Sequence, residues 1–237
     1  MFKSKMFVLF LAVILLAGCG TRTITGSGNV VAQEEAITGF DRVGVSHGFD
    51  ANISQGDSFG VVIRVDDNLV EYLQVVKQGN TLKIDFVPNT PNILRATLQA
   101  EVTMPDLAGL DMSGGTDVTI TGFESTQVFT VDASGGSHLQ GDVVAGDVTF
   151  DISGSSEVVL TGSAQNAMIE ASGSSDLDLA DFPVLDAAVD LSGSSEATVN
   201  LSGRLDVDAS GSSNLYYLGD PTLGDMDTSG SSSIEQK

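Results

Sequence analysis

The side chains with most chemical potential in this sequence are carboxylates that recur at a fixed distance from a serine. A Ser-Gly pair returns with its serine at 113, 134, 153, 172, 192, 210 and 229, and two residues before each stands Asp111, Asp132, Asp151, Glu170, Asp190, Asp208 or Asp227. Four residues after the serine a second, broken series holds Asp117, Glu157, Asp176 and Glu196, interrupted by His138, Asn214 and Ser233. No lysine or arginine occurs between Arg95 and Arg204, so these carboxylates are expected to have no basic partner within the repeats. Calcium takes six to eight oxygens in tolerant geometry, which makes Asp132, Asp151, Glu170 and Asp190 a candidate for weak calcium binding. The plainer role is solvation. Repulsion between like charges about 5 Å apart in water is below about 1 kcal/mol per pair and falls with salt. An outward acidic column at that cost keeps a β-rich chain soluble and discourages sideways association.

Catalytic constellations are harder to assemble. A polysaccharide lyase needs a basic proton acceptor, which the repeats almost lack. A glycoside hydrolase needs paired carboxylates and aromatics on which sugar can stack, and the chain has no Trp and one adjacent aromatic pair, Tyr216-Tyr217. That pair reads more simply as packing in a terminal repeat. His47 and His138 are far apart in sequence, which argues against a zinc centre or a Ser-His-Asp triad. The chain is therefore expected not to be an enzyme and to need no cofactor beyond weak calcium.

The remaining reactive group is Cys19, the only cysteine of 237 residues. It cannot form an internal disulfide. Lys3 and Lys5 precede an apolar run from Met6 to Leu16 that ends in Leu16-Ala17-Gly18-Cys19, the order of an export signal. The run is shorter than the roughly 20 residues of a membrane span. Leu-Ala-Gly-Cys resembles the bacterial lipoprotein signal, which implies removal of residues 1–18, acylation of Cys19 and a short tether over 19–25. Two or three acyl chains at about 0.8 kcal/mol per buried CH₂ anchor a protein durably, whereas one does not. Gly20 is not the aspartate that keeps enteric-type lipoproteins at the inner membrane, so the outer membrane is expected, facing the periplasm or the cell surface.

A net charge of −22 excludes nucleic acid as a partner, because such proteins carry a basic footprint, and it opposes adsorption to anionic headgroups. Membrane contact is expected through the N-terminal lipid alone. Hydrophobic content of 41% is enough for a core despite that charge.

The elements that must carry these columns follow from the repeat, whose period of about 19 residues marks a stacked architecture. Three residues before the serine come Leu110, Val131, Phe150, Ile169, Val189, Val207 and Met226; five after it come Val118, Leu139, Val158, Leu177, Ala197, Leu215 and Ile234. Apolar residues alternate with polar ones on both sides of the pair, which predicts two strands per repeat joined by a tight corner. No helix fits in so short a repeat. The predicted fold is an all-β, single-stranded parallel β-helix (β-solenoid), with regular coils over 106–237. Residues 26–105 are expected to form irregular first coils and a cap, with strands near 60–65, 81–87 and 97–104 and a short helix or strand over 67–75.

Further motifs stand in that first part: Gly39-Phe40-Asp41-Arg42-Val43-Gly44-Val45, Gly48-Phe49-Asp50-Ala51-Asn52-Ile53, Gln55-Gly56-Asp57, Asp66-Asp67-Asn68-Leu69 and Gly79-Asn80-Thr81-Leu82-Lys83-Ile84. Together with the Ser-Gly-Ser coils they resemble the auto-transporter adhesin, head GIN domain family. The resemblance covers most of the chain after the leader. It implies a right-handed β-helix in an envelope-associated bacterial protein and brings no catalytic residues. The expected function is a non-catalytic, lipid-anchored interaction protein of the cell envelope, adhesin-like or envelope-organising, with an envelope glycan or protein as partner. The alternative is a β-helix that binds or cleaves polysaccharide.

Overall fold

Alternation of period two buries one face of a strand and leaves the other to solvent. The computed structural model of the protein describes residues 22–237 and gives each repeat two such strands. Around Ser153, Asp147–Ile152 and Glu157–Ser163 bury Val148, Phe150, Ile152, Val158 and Leu160 and turn Asp151 and Glu157 outward. Strands that precede the corner pair in parallel with their counterparts in neighbouring repeats, in one ten-stranded sheet; those that follow it do the same in an eleven-stranded sheet. The two sheets, called here the pre-corner and post-corner sheets, enclose a core in which Phe123, Phe129, Phe150 and Phe182 are fully buried. Each such ring contributes up to about 3 kcal/mol by leaving water. The β-solenoid inferred from the repeat is thus the observed fold.

The corner is held by its backbone. Gly173 adopts φ +79°, and a Cβ there would lie 2.5 Å from the carbonyl oxygen of Gly154 on the coil below. Glycine is therefore required both by conformation and by close stacking. The Ser174 N–H donates to that same carbonyl at 2.8 Å, and Ser194 and Ser212 repeat the contact on the next coils.

Inside the corner runs a polar column that apolar periodicity does not reveal. Thr116, Ser137, Ser156, Ser175, Ser195 and Ser213 are buried. From Ser137 to Ser213 each hydroxyl donates to the carbonyl of the serine three residues earlier, at 2.8–2.9 Å. A carbonyl turned inward at a bend needs such a donor, because a buried acceptor left unpaired costs about 1–3 kcal/mol.

The first part of the chain stacks out of sequence order. Arg42–Val45 and Asp50–Gln55 form a coil that pairs directly with Gly109–Met112 and Asp117–Glu124. Its opposite edges pair with Thr81–Phe86 and Leu98–Met104. Antiparallel strands close that end: Leu73–Gln78 on the pre-corner sheet, Gly60–Asp66 and then Val30–Glu34 on the post-corner sheet. The coil first in sequence is thus second in space. Residues 67–75 are both of the expected alternatives in turn, a 3-10 turn over Asp67–Leu69 and then the strand from Leu73. Asp66, 1% exposed, ties the end together by accepting the Gly28 N–H at 2.6 Å and the Thr97 N–H at 2.7 Å.

Candidate functional site

Because the strands are in register, each outward column predicted from the repeat is a physical row. On the pre-corner sheet Asp111, Asp132, Asp151, Glu170, Asp190, Asp208 and Asp227 lie side by side on successive coils. On the post-corner sheet Asp117, His138, Glu157, Asp176, Glu196, Asn214 and Ser233 do so.

The cation nearest the first row comes from outside the Ser-Gly repeats. Arg42 belongs to the coil stacked on Gly109–Met112, and its guanidinium lies 3.5 Å from Asp111 and 3.8 Å from Asp132. It is distant in sequence and adjacent in space. His138 sits within the second row with Nδ1 3.4 Å from a Glu157 oxygen. Even so, Asp132 is pushed up to about 6, first by partial burial, then by a hydrogen bond with Asp111 and the charges of Asp111 and Asp151; Arg42 opposes the rise. Asp176 is also raised, first by burial and then by Glu196, Glu157 and Asp178.

The calcium candidates Asp132, Asp151, Glu170 and Asp190 are brought into one straight row, but a row does not converge on a point. Among the described residues no group of three or more His, Cys, Asp or Glu side chains is gathered closely enough to hold a metal ion. Cys19 lies outside the described residues.

His47 occupies the position of the corner glycine in the coil of Arg42–Gln55, with φ +61°. This eighth corner lacks Ser-Gly and so stands outside the repeat, and its signal in the sequence is Val43 and Val45, spaced before Ser46 as in the other repeats. His47 Nδ1 lies 2.7 Å from Asp85 Oδ1 and 3.1 Å from Ser46 Oγ. A catalytic relay needs the acid and the nucleophile on opposite ring nitrogens, whereas here both face Nδ1. The tyrosine pair splits as strand alternation requires: Tyr217 packs against the core, and Tyr216 faces outward beneath Lys237 Nζ, 3.8 Å from its ring centre.

The fold has solved counterparts. A putative adhesin from Bacteroides fragilis NCTC 9343 matches with a TM-score of 0.84 at 19% identity, over 90% of this chain and 100% of that one. A putative lipid binding protein from Parabacteroides distasonis ATCC 8503 matches at 0.72 and 22% identity, over 91% and 100%. A putative adhesin from the same strain matches at 0.74 and 17% identity, over 91% and 100%. Identities this low speak for the fold alone. Comparison with curated proteins found no match. The family resemblance read from the residues is borne out over 39–221, which span the Arg42–Gln55 coil, the closed end apart from Val30–Glu34, and the first six Ser-Gly corners: the chain belongs to the family described as putative auto-transporter adhesin, head GIN domain.

Proposed function

We propose that the protein is a non-catalytic, lipid-anchored interaction protein of the cell envelope, adhesin-like or envelope-organising, that works through the outer faces of its stack. The observation that carries the reading is the register. Every coil repeats the same outward positions beside those of its neighbours, so the solenoid presents long rows of side chains on a rigid support. Rows on a stiff scaffold suit recognition of extended partners, since little order must be gained on binding. Membership of an adhesin family supports the same role.

The anchor in this reading is Cys19, acylated after removal of residues 1–18. No helix among the described residues is long and apolar enough to cross a membrane, and a lipid needs none. The test is made on cells that display the full chain. Wild type should partition into detergent, be accessible to protease on whole cells and promote attachment to a surface that its deletion strain does not bind; Cys19→Ala should leave the detergent phase and abolish attachment. Unchanged partitioning of Cys19→Ala would remove the anchor, and equal attachment by wild-type and deletion strains would remove the interaction role.

A further inference from the structure

The outer face of the pre-corner sheet also carries an apolar trough whose two borders differ in charge. Met168 is 54% exposed and lies in register between Thr149 and Ala188. With Val128, half exposed, these side chains line a groove of about 420 Å³. The groove continues past Met168 and Ala188 into a second hollow of about 330 Å³ beside Glu170, Asp190 and Asp208. Apolar side chains grouped on a strand face and rimmed by polar ones are the usual mark of a contact surface, and methionine adapts to varied partners.

One border of the trough is already engaged in hydrogen bonds within the stack. Asp147 accepts the Asn166 amide at 2.8 Å and Asp186 accepts the Arg204 backbone N–H at 2.6 Å, while Asp206, in register with Ala188 at the end of the floor, accepts the Arg204 Nε–H at 2.6 Å. The other border is the row Glu170, Asp190 and Asp208, each exposed and none in an ion pair among the described residues.

We propose that this trough docks an extended cationic segment of a partner protein, with apolar side chains over Met168 and Ala188 and lysine or arginine side chains on the row Glu170, Asp190 and Asp208. The inference rests on the interaction role above and names the chemistry of its partner. A second copy of the chain is disfavoured by its own charge of −22, since like-charged surfaces repel. The dimensions agree. Three carboxylates on coils about 4.8 Å apart span roughly 10 Å, and alternate residues of an extended strand recur every 6.8 Å or so. Two or three basic side chains at alternate positions therefore meet the row, with their flexible stems absorbing the mismatch.

The experiment is fluorescence anisotropy of the full chain in detergent with a labelled Lys-Leu-Lys-Leu-Lys-Leu peptide at about 0.15 M salt. Glu170→Gln with Asp190→Asn should weaken binding about tenfold and Met168→Ser about fivefold. Glu157→Gln with Glu196→Gln removes the same charge from the opposite sheet and should change binding less than about twofold. A Lys-Ser-Lys-Ser-Lys-Ser peptide should bind more weakly and be insensitive to Met168→Ser. Equal loss in the two double variants would reduce the effect to diffuse attraction and overturn the site, as would absence of binding by wild type. Attachment of displaying cells separates the two readings. A Glu170→Gln/Asp190→Asn strain that attaches like wild type discards the trough and keeps the interaction role; a wild type that never attaches discards the role, whatever the peptide does.

Discussion

Asp132 offers the sharpest test of how the acidic row is built, and the perturbation is Asp132→Asn. In the folded chain its pKa stands near 6 against an ordinary 3.8. The folded state therefore holds this proton more tightly than the unfolded state does. Below about pH 4 both states are protonated and the site contributes nothing; between 4 and 6 stability falls as pH rises; above 6 the full penalty applies. The shift would be worth about 3 kcal/mol at roughly 1.36 kcal/mol per unit. Because the side chain is 48% exposed, solvent screening cuts this to about 1 kcal/mol. Asparagine cannot ionise, and its amide can donate to Asp111 as the protonated acid does. The variant should match wild type at pH 4 and melt about 2–4 °C higher at pH 7.5, followed by circular dichroism. Asp190→Asn, on the exposed stretch of the same row, should stay within about 0.5 kcal/mol of wild type at both pH values. A variant no more stable at pH 7.5, or equally stabilised at both pH values, would refute the reasoning.

Gly173→Val should destabilise far more than Gly230→Val. Both glycines have positive φ and a carbonyl 2.5 Å from the added Cβ, but only Gly173 has coils on both sides, whereas the coil of Gly230 can detach alone; equal thermal shifts would count against the stack. Ser156→Ala should cost about 1–3 kcal/mol in denaturant unfolding, because Ser156 supplies a donor to Ser153 O and an acceptor to Ser137 N–H, and a neutral result would show that the buried column is dispensable. Millimolar calcium should raise the melting temperature no more than sodium chloride of equal ionic strength. A calcium-specific rise that survives high salt and vanishes in Asp151→Asn with Glu170→Gln would instead make the row a metal site.

What the sequence disclosed, and what it hid, depended on how often a position was sampled. The core columns through Phe150 and Val158 and the acidic rows were legible because seven coils repeat one environment, so chance residues average out. The coil of Arg42–Gln55 occurs once, and its corner carries His47 instead of glycine. Its neighbour in space, Gly109–Met112, lies beyond every strand of the closed end but Val30–Glu34 in sequence, so no local spacing could place Arg42 beside Asp111. The serine column escaped for a different reason. Ser137, Ser156 and their equivalents are polar, and a reading that equates burial with apolar side chains assigns them outward; only the carbonyl orientation at the corner turns them in.

The out-of-order position of the Arg42–Gln55 coil bears on how the chain acquires its structure as it emerges from N to C terminus. That coil appears early with both edges unpaired, and one of them is covered only when Thr81–Phe86 and Leu98–Met104 arrive. The earliest assembly must therefore close long loops, the slow, entropically costly kind of step. Once Gly109–Glu124 has joined the other edge, every later coil closes a loop of about twenty residues onto a finished template. Synthesis would thus separate into a demanding nucleus near the N terminus and an inexpensive elongation, much as a filament grows. A change in coil number would alter the length of the product while leaving the difficulty of starting it untouched.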